Sequence, residues 1–484
     1  MNPASNPGLP SQLSAVLAGN IDGRSNNVVY RQKQMHRLHA CIAEHLAEIQ
    51  TTIARDYGHS TTEIQAEVGL AIQEVHAHYA LLDQKHDLEN EYLTAHGRDD
   101  WHGTRGVGIV YIIPTMHTLF YSVISALSAS LAAGNCTIVE LPSTTSQTSS
   151  LLRKILTGAL DSDTFAICTE RVSTEYLRNM HVVAQASTDG LALDCMHVAS
   201  SYDQRTVATV DRTADVESAA TDLVVSRFAF DGQSPYAPDV VLVNEFCLGR
   251  FIEAGVKGAA KYMRTTSRNP TDTMGPSHRK SHPLLDDLTP NDAAHIIVSG
   301  DDWGIVQVRN RKSSLFQRKI EGKYLLVHAV SSLDDAINFA NLNGPHNATY
   351  TFAALPAAKY ISESIDSQTA WINHVPYHLL VGPTLPKDSP ASPNARYVAR
   401  LFRVPHSKVV NPTSGSALAK NLLLSTGESG VDSLQKLLSP LPAVEQRPGH
   451  KIGFFEQGLL SGGVVVLSVI TGVSVAGAWM WKMR

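Results

Sequence analysis

A strand, a helix and a second strand follow one another closely between Gly106 and Val139, and this unit limits the fold more than any other stretch of the chain. The run from Val107 to Ile113 is apolar, which predicts a buried strand. A helical stretch follows, closes on Ala-Ala-Gly-Asn at 132–135, and leads into a second short apolar run, Cys136 to Val139. This order of elements predicts an α/β fold.

The stretch from Ser226 to Val243 is the second informative segment. An aromatic-rich helix end runs into Gly232-Gln233, then into Ala237-Pro238-Asp239, and then into the apolar run Val240 to Val243, which predicts another buried strand. These residues and their spacing resemble the nucleophile segment of the aldehyde dehydrogenases, and the unit at 106–139 resembles the start of that family's cofactor domain. The resemblance runs from about Met35 to Val410. In plan it is closest to membrane-anchored fatty aldehyde dehydrogenases and to tail-anchored relatives of fungal natural-product pathways.

The resemblance implies an α/β aldehyde dehydrogenase-like fold, with a Rossmann-like cofactor domain and an α/β catalytic domain. It also sets the domain boundaries that we expect. These are a disordered N-terminus at 1–30, N-terminal helices with the dinucleotide-binding domain at 31–225, a catalytic-type domain at 226–370, a C-terminal return and oligomerisation segment at 371–438, a linker at 439–457 and a transmembrane helix at 458–481.

Three positions that carry chemistry in the resembled family hold unexpected residues here. The nucleophile position is Pro235, which has neither a nucleophilic side chain nor a backbone N–H. The general-base position falls on Ser201, and Asp203, two residues on, is either a substitute base or an ordinary loop carboxylate. The oxyanion-donor position falls on His117, and because histidine can donate a hydrogen bond, some stabilisation of an oxyanion is expected to survive there.

The resemblance also assigns three cofactor-binding positions. Glu140 stands where a lysine grips the adenosine ribose, and a carboxylate there would accept from a ribose hydroxyl but repel a 2′-phosphate. Ser187 lies in the turn that should meet the cofactor, and Lys319 replaces the glutamate that holds the nicotinamide ribose. The expectation is therefore weakened binding of NAD, with NADP disfavoured.

Composition excludes several other classes of protein. The formal net charge is −5 and no long Lys/Arg stripe is present, which argues against nucleic acid as a partner. The five cysteines are scattered without a Cys-x-x-Cys pair, so we expect no zinc site, no disulfide framework and a reducing compartment. The histidines of the predicted N-terminal helices are interpreted as solvated rather than as metal ligands; they are His36, His39, His45, His76 and His78.

The run from Gly458 to Trp481 is uncharged and rich in Val, Leu, Ile and Gly, and it is long enough to cross a bilayer once. Trp479 and Lys482 lie at its far end, where interfacial anchors are usual. The first thirty residues lack the basic and apolar regions of a signal peptide. The prediction is a single-pass anchor with the body facing the cytosol, at the endoplasmic reticulum or another organelle membrane.

Residues that shape the fold of the resembled family are present in this sequence, whereas residues that carry its chemistry are not. This contrast favours a family member that has lost ordinary dehydrogenase activity. It would bind a lipophilic carbonyl compound, or steady a related enzyme as a homodimer or heteromer, in a pathway such as secondary metabolism. One alternative is active NAD-dependent oxidation of a fatty or polyketide aldehyde, which requires another nucleophile. Ser234 is adjacent but has no base beside it at Ser201, and Cys247 is expected to pack as a small apolar residue. The other is acid–base chemistry through His117.

Overall fold

The computed structural model describes residues 11–185, 198–200, 204–266, 283–286, 288–387, 389, 391–393, 395–424, 437–438, 440–442 and 452–482. Its described residues form two compact units. One is drawn from Met1–Ala354 and Ile361–Val410, and the other from Leu355–Tyr360 and Asn411–Arg484. The first unit holds every described strand and all of the predicted catalytic and cofactor positions that the structure describes.

The described helices alternate with strands along most of the first unit. They are α1 (Ser11–Asp22), α2 (Val28–Glu44), α3 (Leu46–Tyr57), α4 (Thr61–Tyr79), α5 (Gln84–Tyr92), α6 (Leu119–Ala133), α7 (Gln147–Ala159), α8 (Thr174–Leu177), α9 (Val216–Phe228), α10 (Leu248–Thr266), α11 (Pro283–Asp286), α12 (Leu333–Leu342), α13 (Leu355–Ser364), α14 (Ser414–Leu424) and α15 (Phe454–Lys482).

The strands fall into two large sheets and one small one. They are β1 (Thr104–Gly106), β2 (Ile109–Ile113), β3 (Cys136–Glu140), β4 (Phe165–Cys168), β5 (His181–Ala184), β6 (Val198–Ala199), β7 (Arg205–Val210), β8 (Val240–Asn244), β9 (Ala294–Ser299), β10 (Trp303–Val308), β11 (Lys323–Val330), β12 (His346–Phe352), β13 (Ser367–Ile372) and β14 (Arg403–Pro405).

Both large sheets are built from parallel strands with helical crossovers, which confirms the predicted α/β class. The first has the order β4-β3-β2-β5-β6 and is parallel throughout. The second has the order β13-β12-β7-β8-β11-β10-β9, and only its edge pair, β10 with β9, is antiparallel. In parallel sheets ligands bind beyond the carboxyl ends of the strands. The candidate site lies there, on the chain that follows β2 and on the segments that connect other strands. The small sheet pairs β1 with β14.

The expectation of a disordered N-terminus is wrong for the described residues from 11 onward. Helix α1 packs on the first sheet, with Leu13 and Val16 buried in one cluster with Tyr111 and Ile138. Leu13, Val16 and Leu17 lie three and four residues apart, so one face of the helix covers apolar sheet surface. That burial is what orders the segment.

Helix α4 is capped by Ser60 and Glu63, which form a reciprocal capping box, and it packs against α6. The face that α4 turns inward includes polar residues. Glu67, Glu74 and His78 are each at most 3% exposed. The interpretation of His78 as solvated is therefore wrong: its ring bonds to the Ser128 hydroxyl at 2.8 Å and to the main-chain oxygen of Tyr397 at 2.7 Å.

The second unit contains the apolar helix α15. Within it, the 20 residues Phe455–Ser474 have a mean hydropathy of 1.6, and by length and composition they suffice to cross a membrane. Large apolar side chains along it are exposed, among them Leu467 and Val473. This agrees with the predicted membrane helix. The described helix begins at Phe454, ahead of the predicted boundary at 458.

Candidate functional site

His117 lies in the turn between β2 and α6, beyond the carboxyl end of β2. Its Nε2 is 2.9 Å from the main-chain oxygen of Leu380. Because a carbonyl only accepts, Nε2 carries the ring proton. Burial lowers the pKa of His117 to about 4, so the ring is neutral and Nδ1 is left as an acceptor. In this form the ring has no second N–H, so the predicted role as an oxyanion donor does not fit the structure.

The segment that leads to Pro235 has an unusual backbone. Phe230 and Asp231 have φ values of 52° and 55°, in the left-handed region that non-glycine residues seldom adopt, and Gly232 follows with φ 66°. A Cβ on Gly232 would lie 2.1 Å from the Gly322 carbonyl oxygen, so only glycine fits. The N–H of Phe230 donates to Glu63 Oε1 at 2.7 Å, which holds this strained turn against α4.

Lys319 reaches from the chain before β11 to Pro235, the predicted nucleophile position. Its Nζ donates to the main-chain oxygens of Pro235 at 2.9 Å and Gln204 at 3.2 Å, and to Asp239 Oδ2 at 3.4 Å. Burial lowers the pKa of Lys319, while the Asp239 carboxylate opposes that shift. Lys319, predicted as a cofactor-binding position, is thus bonded into the protein.

Asp239 is the anion at the centre of this cluster. It accepts the backbone N–H groups of Thr206 and Ile320, each at 2.9 Å, and lies 3.6 Å from the Arg227 guanidinium. Arg227 is 1% exposed, and burial lowers its pKa to about 10, with Asp239 opposing. The site therefore places two cations, Lys319 and Arg227, on one buried carboxylate.

Glu140 lies at the end of β3, in the first sheet. Its Oε2 accepts from the Tyr111 hydroxyl at 2.8 Å, and both carboxylate oxygens contact the Arg171 guanidinium, at 3.1 to 3.4 Å. Only 9% of the Glu140 side chain is exposed. A ribose hydroxyl would have to displace these protein contacts, so the carboxylate is not a ready ribose acceptor.

Two predicted site residues, Ser187 and Ser201, lie outside the described residues, as does Asp203. The structure brings Pro235 and Lys319 into direct contact. His117 joins the same neighbourhood through Phe230, whose ring meets the imidazole edge-on at 5.9 Å between centroids.

Neither alternative nucleophile is placed to react. Ser234 is 2% exposed, and its hydroxyl oxygen accepts the Tyr236 N–H at 3.2 Å. Cys247 is 4% exposed, donates to the Asn244 carbonyl oxygen at 3.3 Å, and burial raises its pKa. Among the contacts of the described residues, neither side chain is hydrogen-bonded to an imidazole or a carboxylate that would serve as its base.

Sequence reasoning missed the buried polar groups that α4 brings to this region. Glu67 is fully buried, accepts the Tyr121 N–H at 3.4 Å through Oε1, and has Oε2 4.0 Å from His59 Nδ1. Glu74, seven residues on, accepts from Tyr121 Oη and from the Arg396 N–H. Burial raises the pKa of each carboxyl to about 7. The sequence signal for this burial was the spacing: Glu67, Ala71 and Glu74 lie four and three residues apart, so they share one face of the helix.

The described residues contain no cluster of three or more His, Cys, Asp or Glu side chains suited to hold a metal ion.

Comparison with known proteins assigns the family. The sequence profile of the aldehyde dehydrogenase family matches residues 23–382, so the chain belongs to this family. Among its relatives, it is 23% identical over 393 residues to the rat "Aldehyde dehydrogenase, dimeric NADP-preferring", covering 75% of this chain and 85% of that one. It is 22% identical over 366 residues to mouse "Aldehyde dehydrogenase family 3 member A2", covering 68% and 72%.

The fold matches solved structures over most of the chain. The substrate-bound structure of Staphylococcus aureus AldH superposes with a TM-score of 0.69 at 17% identity, over 88% of this chain and 99% of that one. The HpcC structure from Thermus thermophilus superposes with a TM-score of 0.64 at 17% identity, over 83% and 85%. At these identities the likeness establishes the fold, and the chemistry has to be argued from this chain's own residues.

Proposed function

We propose that this aldehyde dehydrogenase family member does not oxidise aldehydes with NAD(P), and acts at a membrane as a binder of a carbonyl compound or as a scaffold for a related enzyme. The observation that carries the proposal is the bond from Lys319 Nζ to the main-chain oxygen of Pro235. This hydrogen bond supports a site whose own groups are bonded to one another at the point where a thiolate and a nicotinamide would have to meet.

The contacts around Pro235 argue against each step of the dehydrogenase reaction. Covalent capture of an aldehyde needs a nucleophile, and Pro235, Ser234 and Cys247 provide none that is activated. Stabilisation of the oxyanion needs N–H donors, but Pro235 has no N–H and His117 donates its ring proton to Leu380. These losses act on one transition state, so they are not independent.

The residues present also fit a dinucleotide poorly. Lys319 would bring a positive charge towards the cationic nicotinamide ring, and Glu140 is bonded to Tyr111 and Arg171. A carboxylate at this position also opposes a 2′-phosphate, in contrast to the rat relative whose name states a preference for NADP. We therefore infer weak binding of NAD and weaker binding of NADP.

The membrane part of the proposal rests on α15, whose length and composition suit a single span. The described cysteines Cys41, Cys136, Cys168 and Cys247 are unpaired, which suits a body in the reducing cytosol. A membrane position would give the protein access to a lipophilic carbonyl ligand, with secondary metabolism as one setting and an endoplasmic reticulum or other organelle membrane as its place. Protease protection of sealed vesicles tests the orientation, and a protected body contradicts it.

A second candidate function is acid–base chemistry, and one observation favours it. The neutral His117 ring presents Nδ1 as an acceptor, as a general base would. This activity would need no thiol and no dinucleotide. Loss of activity towards a carbonyl substrate in a His117→Phe variant, in the absence of NAD, would distinguish it from pure binding.

Cofactor binding provides the test of the leading proposal. The full-length protein in detergent micelles is titrated with NAD and with NADP by calorimetry. We expect dissociation constants weaker than about 1 mM, above the range in which enzymes usually bind their substrates. Micromolar binding of either dinucleotide would overturn the proposal and make aldehyde oxidation the leading function.

A further inference from the structure

Glu67 and His59 belong to a ring of contacts that flanks the candidate site. Glu67 Oε1 accepts the Tyr121 N–H at 3.4 Å, in the first turn of α6, and His117 lies two residues before that helix. On the other side of the site, the His59 ring meets the Phe230 ring edge-on at 5.2 Å between centroids. Phe230 in turn meets the His117 ring at 5.9 Å. A change in the contact between Glu67 and His59 would therefore affect both turns of the site.

The contact between Glu67 and His59 is the one place in this ring where a bond is not made. Glu67 Oε2 and His59 Nδ1 are 4.0 Å apart, and each lacks a hydrogen-bond partner among the described residues. Both residues are buried. Hydrogen bonds from nitrogen to oxygen span about 2.7–3.2 Å, so the two atoms lie just beyond bonding distance. Folded proteins rarely leave buried polar atoms unpaired, which favours a second arrangement in which these two are bonded.

The proton on Glu67 sets how strongly the pair attracts. Burial raises the pKa of Glu67 to about 7 and lowers the pKa of His59, so near neutral pH the imidazole is neutral while the carboxyl gains or loses its proton. A bond from an N–H to a carboxylate is shorter than a bond between neutral groups, and about twice as strong. Loss of the Glu67 proton should therefore draw the two atoms together, from 4.0 Å to about 2.8 Å.

The neighbouring tyrosines and His117 do not change charge in the same range of pH. Tyr57 stacks on the His59 ring at 5.4 Å between centroids, and burial raises the pKa of this tyrosine. Burial likewise raises the pKa of Tyr262, whose hydroxyl donates to Glu63. Burial lowers the pKa of His117 to about 4. A transition near neutral pH at this place in the fold is therefore not expected from these three residues.

Two other carboxylates act on the imidazole from a greater distance. Glu63 and Asp231 both favour the charged form of His59, but burial outweighs them. Each has a partner of its own: Glu63 Oε1 accepts the Phe230 N–H at 2.7 Å, and Asp231 Oδ1 lies 3.1 Å from Lys323 Nζ. His59 Nδ1 is bonded to neither, so it stays available to the carboxyl 4.0 Å away.

We propose that Glu67 and His59 form a proton switch that positions the Phe230 turn. Phe230 has a φ of 52°, which non-glycine residues seldom adopt, so the packing around this turn holds it in place rather than its own preference. When the pair bonds, the His59 ring shifts against the Phe230 ring, and the contact of Phe230 with His117 changes with it. The switch requires neither a thiol nor a dinucleotide. The inference therefore stands or falls apart from the proposed loss of dehydrogenase activity.

Fluorine NMR of the full-length protein in micelles tests the switch, with 4-fluorophenylalanine incorporated in place of Phe230. We expect the ¹⁹F chemical shift to pass through one transition centred near pH 7. Glu67→Gln cannot ionise and should remove the transition. His59→Phe should remove it as well, because a phenyl ring keeps the packing against Tyr57 and Phe230 but cannot bond to Glu67.

Glu74→Gln is the matched control. Burial also raises the pKa of Glu74 to about 7, but this residue contacts Tyr121 and Arg396 rather than His59, so the transition should remain. The proposal is overturned if the parent shows no transition near pH 7, if the transition survives either Glu67→Gln or His59→Phe, or if Glu74→Gln removes it too. Thermal melting identifies any variant that loses the transition by unfolding.

Discussion

The side-chain nitrogen of Lys319 lies 2.9 Å from the main-chain oxygen of Pro235, so the residue at the predicted ribose-holding position is bonded to the residue at the predicted nucleophile position. The same ammonium contacts Gln204 and Asp239. With only 22% of its side chain exposed, Lys319 behaves as part of the core of this site.

Restoring the family residue at position 319 should damage the protein. Lys319→Glu places a carboxylate against the Asp239 carboxylate and two carbonyl oxygens, none of which can donate to it. Lys319→Met removes the ammonium while keeping a similar length, and should cost roughly 1–3 kcal/mol of unfolding free energy. We expect the glutamate variant to melt below the methionine variant, and the exposed control Lys312→Met to melt with the parent. A glutamate variant as stable as the parent would contradict the contacts described for Lys319.

A cysteine at position 235 should react without turning over. Position 235 is buried, as Cys247 is, but it has the Lys319 ammonium beside it. Because this charge favours a thiolate, Pro235→Cys should be alkylated by iodoacetamide at neutral pH faster than Cys247. NADH should still not form, because the base position at Ser201 and the residues His117 and Lys319 are unchanged. Mass spectrometry maps the alkylation and absorbance at 340 nm follows NADH. Turnover by Pro235→Cys alone would show that the base is not at Ser201, and would direct attention to Asp203.

Much of the fold follows from sequence, because its signals are local. Strands β2 and β3 and the turn at Gly134-Asn135 are read from apolar runs and spacing. Asn135 serves this turn directly, since its Oδ1 accepts the Gly108 N–H at 2.9 Å. The contacts of the candidate site are not local. Lys319 and Pro235 are 84 residues apart, and a hydrogen bond to a backbone carbonyl cannot be recognised from the sequence.

The main-chain oxygen of Leu380, 263 residues away, fixes the tautomer of His117. This tautomer likewise cannot be predicted from the sequence. Glu67 and Glu74 are a different case. Their positions on the buried face of α4 follow from helical spacing, but a glutamate is usually assigned to solvent, and only the packing of α6 shows otherwise.

Glu67 and Glu74 should each make the protein less stable as the pH rises towards neutrality. Burial raises the pKa of Glu67 and of Glu74 from 4.5 to about 7. The folded state therefore keeps protons that the unfolded chain releases above pH 4.5. Each carboxyl lowers the free energy of unfolding by about 3 kcal/mol between pH 4.5 and 7, and lowers it no further above pH 7.

The melting temperature as a function of pH checks this prediction in variants. Glu67→Gln and Glu74→Gln should each flatten the decline between pH 5 and 8, and the exposed control Glu48→Gln should not. Buried histidines with a lowered pKa, among them His59, His78 and His117, act in the opposite direction below their ordinary value, so the comparison is made between variants and parent. Identical profiles for parent and variants would contradict the assigned burial of these carboxyls.

The apolar helix α15 should hold the protein at membranes. Val469→Arg together with Ile470→Arg places two charges in the middle of the span, each opposed by about 2.5–3.5 kcal/mol. We expect the parent in the membrane fraction after carbonate washing and the double arginine variant in the soluble fraction. The matched double alanine variant should stay with membranes. Soluble parent protein, or arginine variants that remain integral, would refute the anchor.

Restoring the family's predicted catalytic and cofactor-binding residues together provides a further prediction. Activity should appear, if at all, only when Pro235→Cys is combined with Ser201→Glu, His117→Asn and Lys319→Glu, because these groups serve one transition state. NADH formation from a long-chain aldehyde is measured for the single, double and quadruple variants, with melting temperatures as the control for folding. A double variant with full activity would show that the missing groups are fewer than inferred.

The most direct measurement is the formation of NADH or NADPH by the unmodified, full-length protein in micelles, supplied with short- and long-chain aldehydes. Because Pro235 offers no thiolate and Lys319 is bonded to its carbonyl oxygen, we predict no reduced cofactor above the background without protein. Sustained turnover that depends on the protein would contradict the account, and would require a nucleophile that the described residues do not provide.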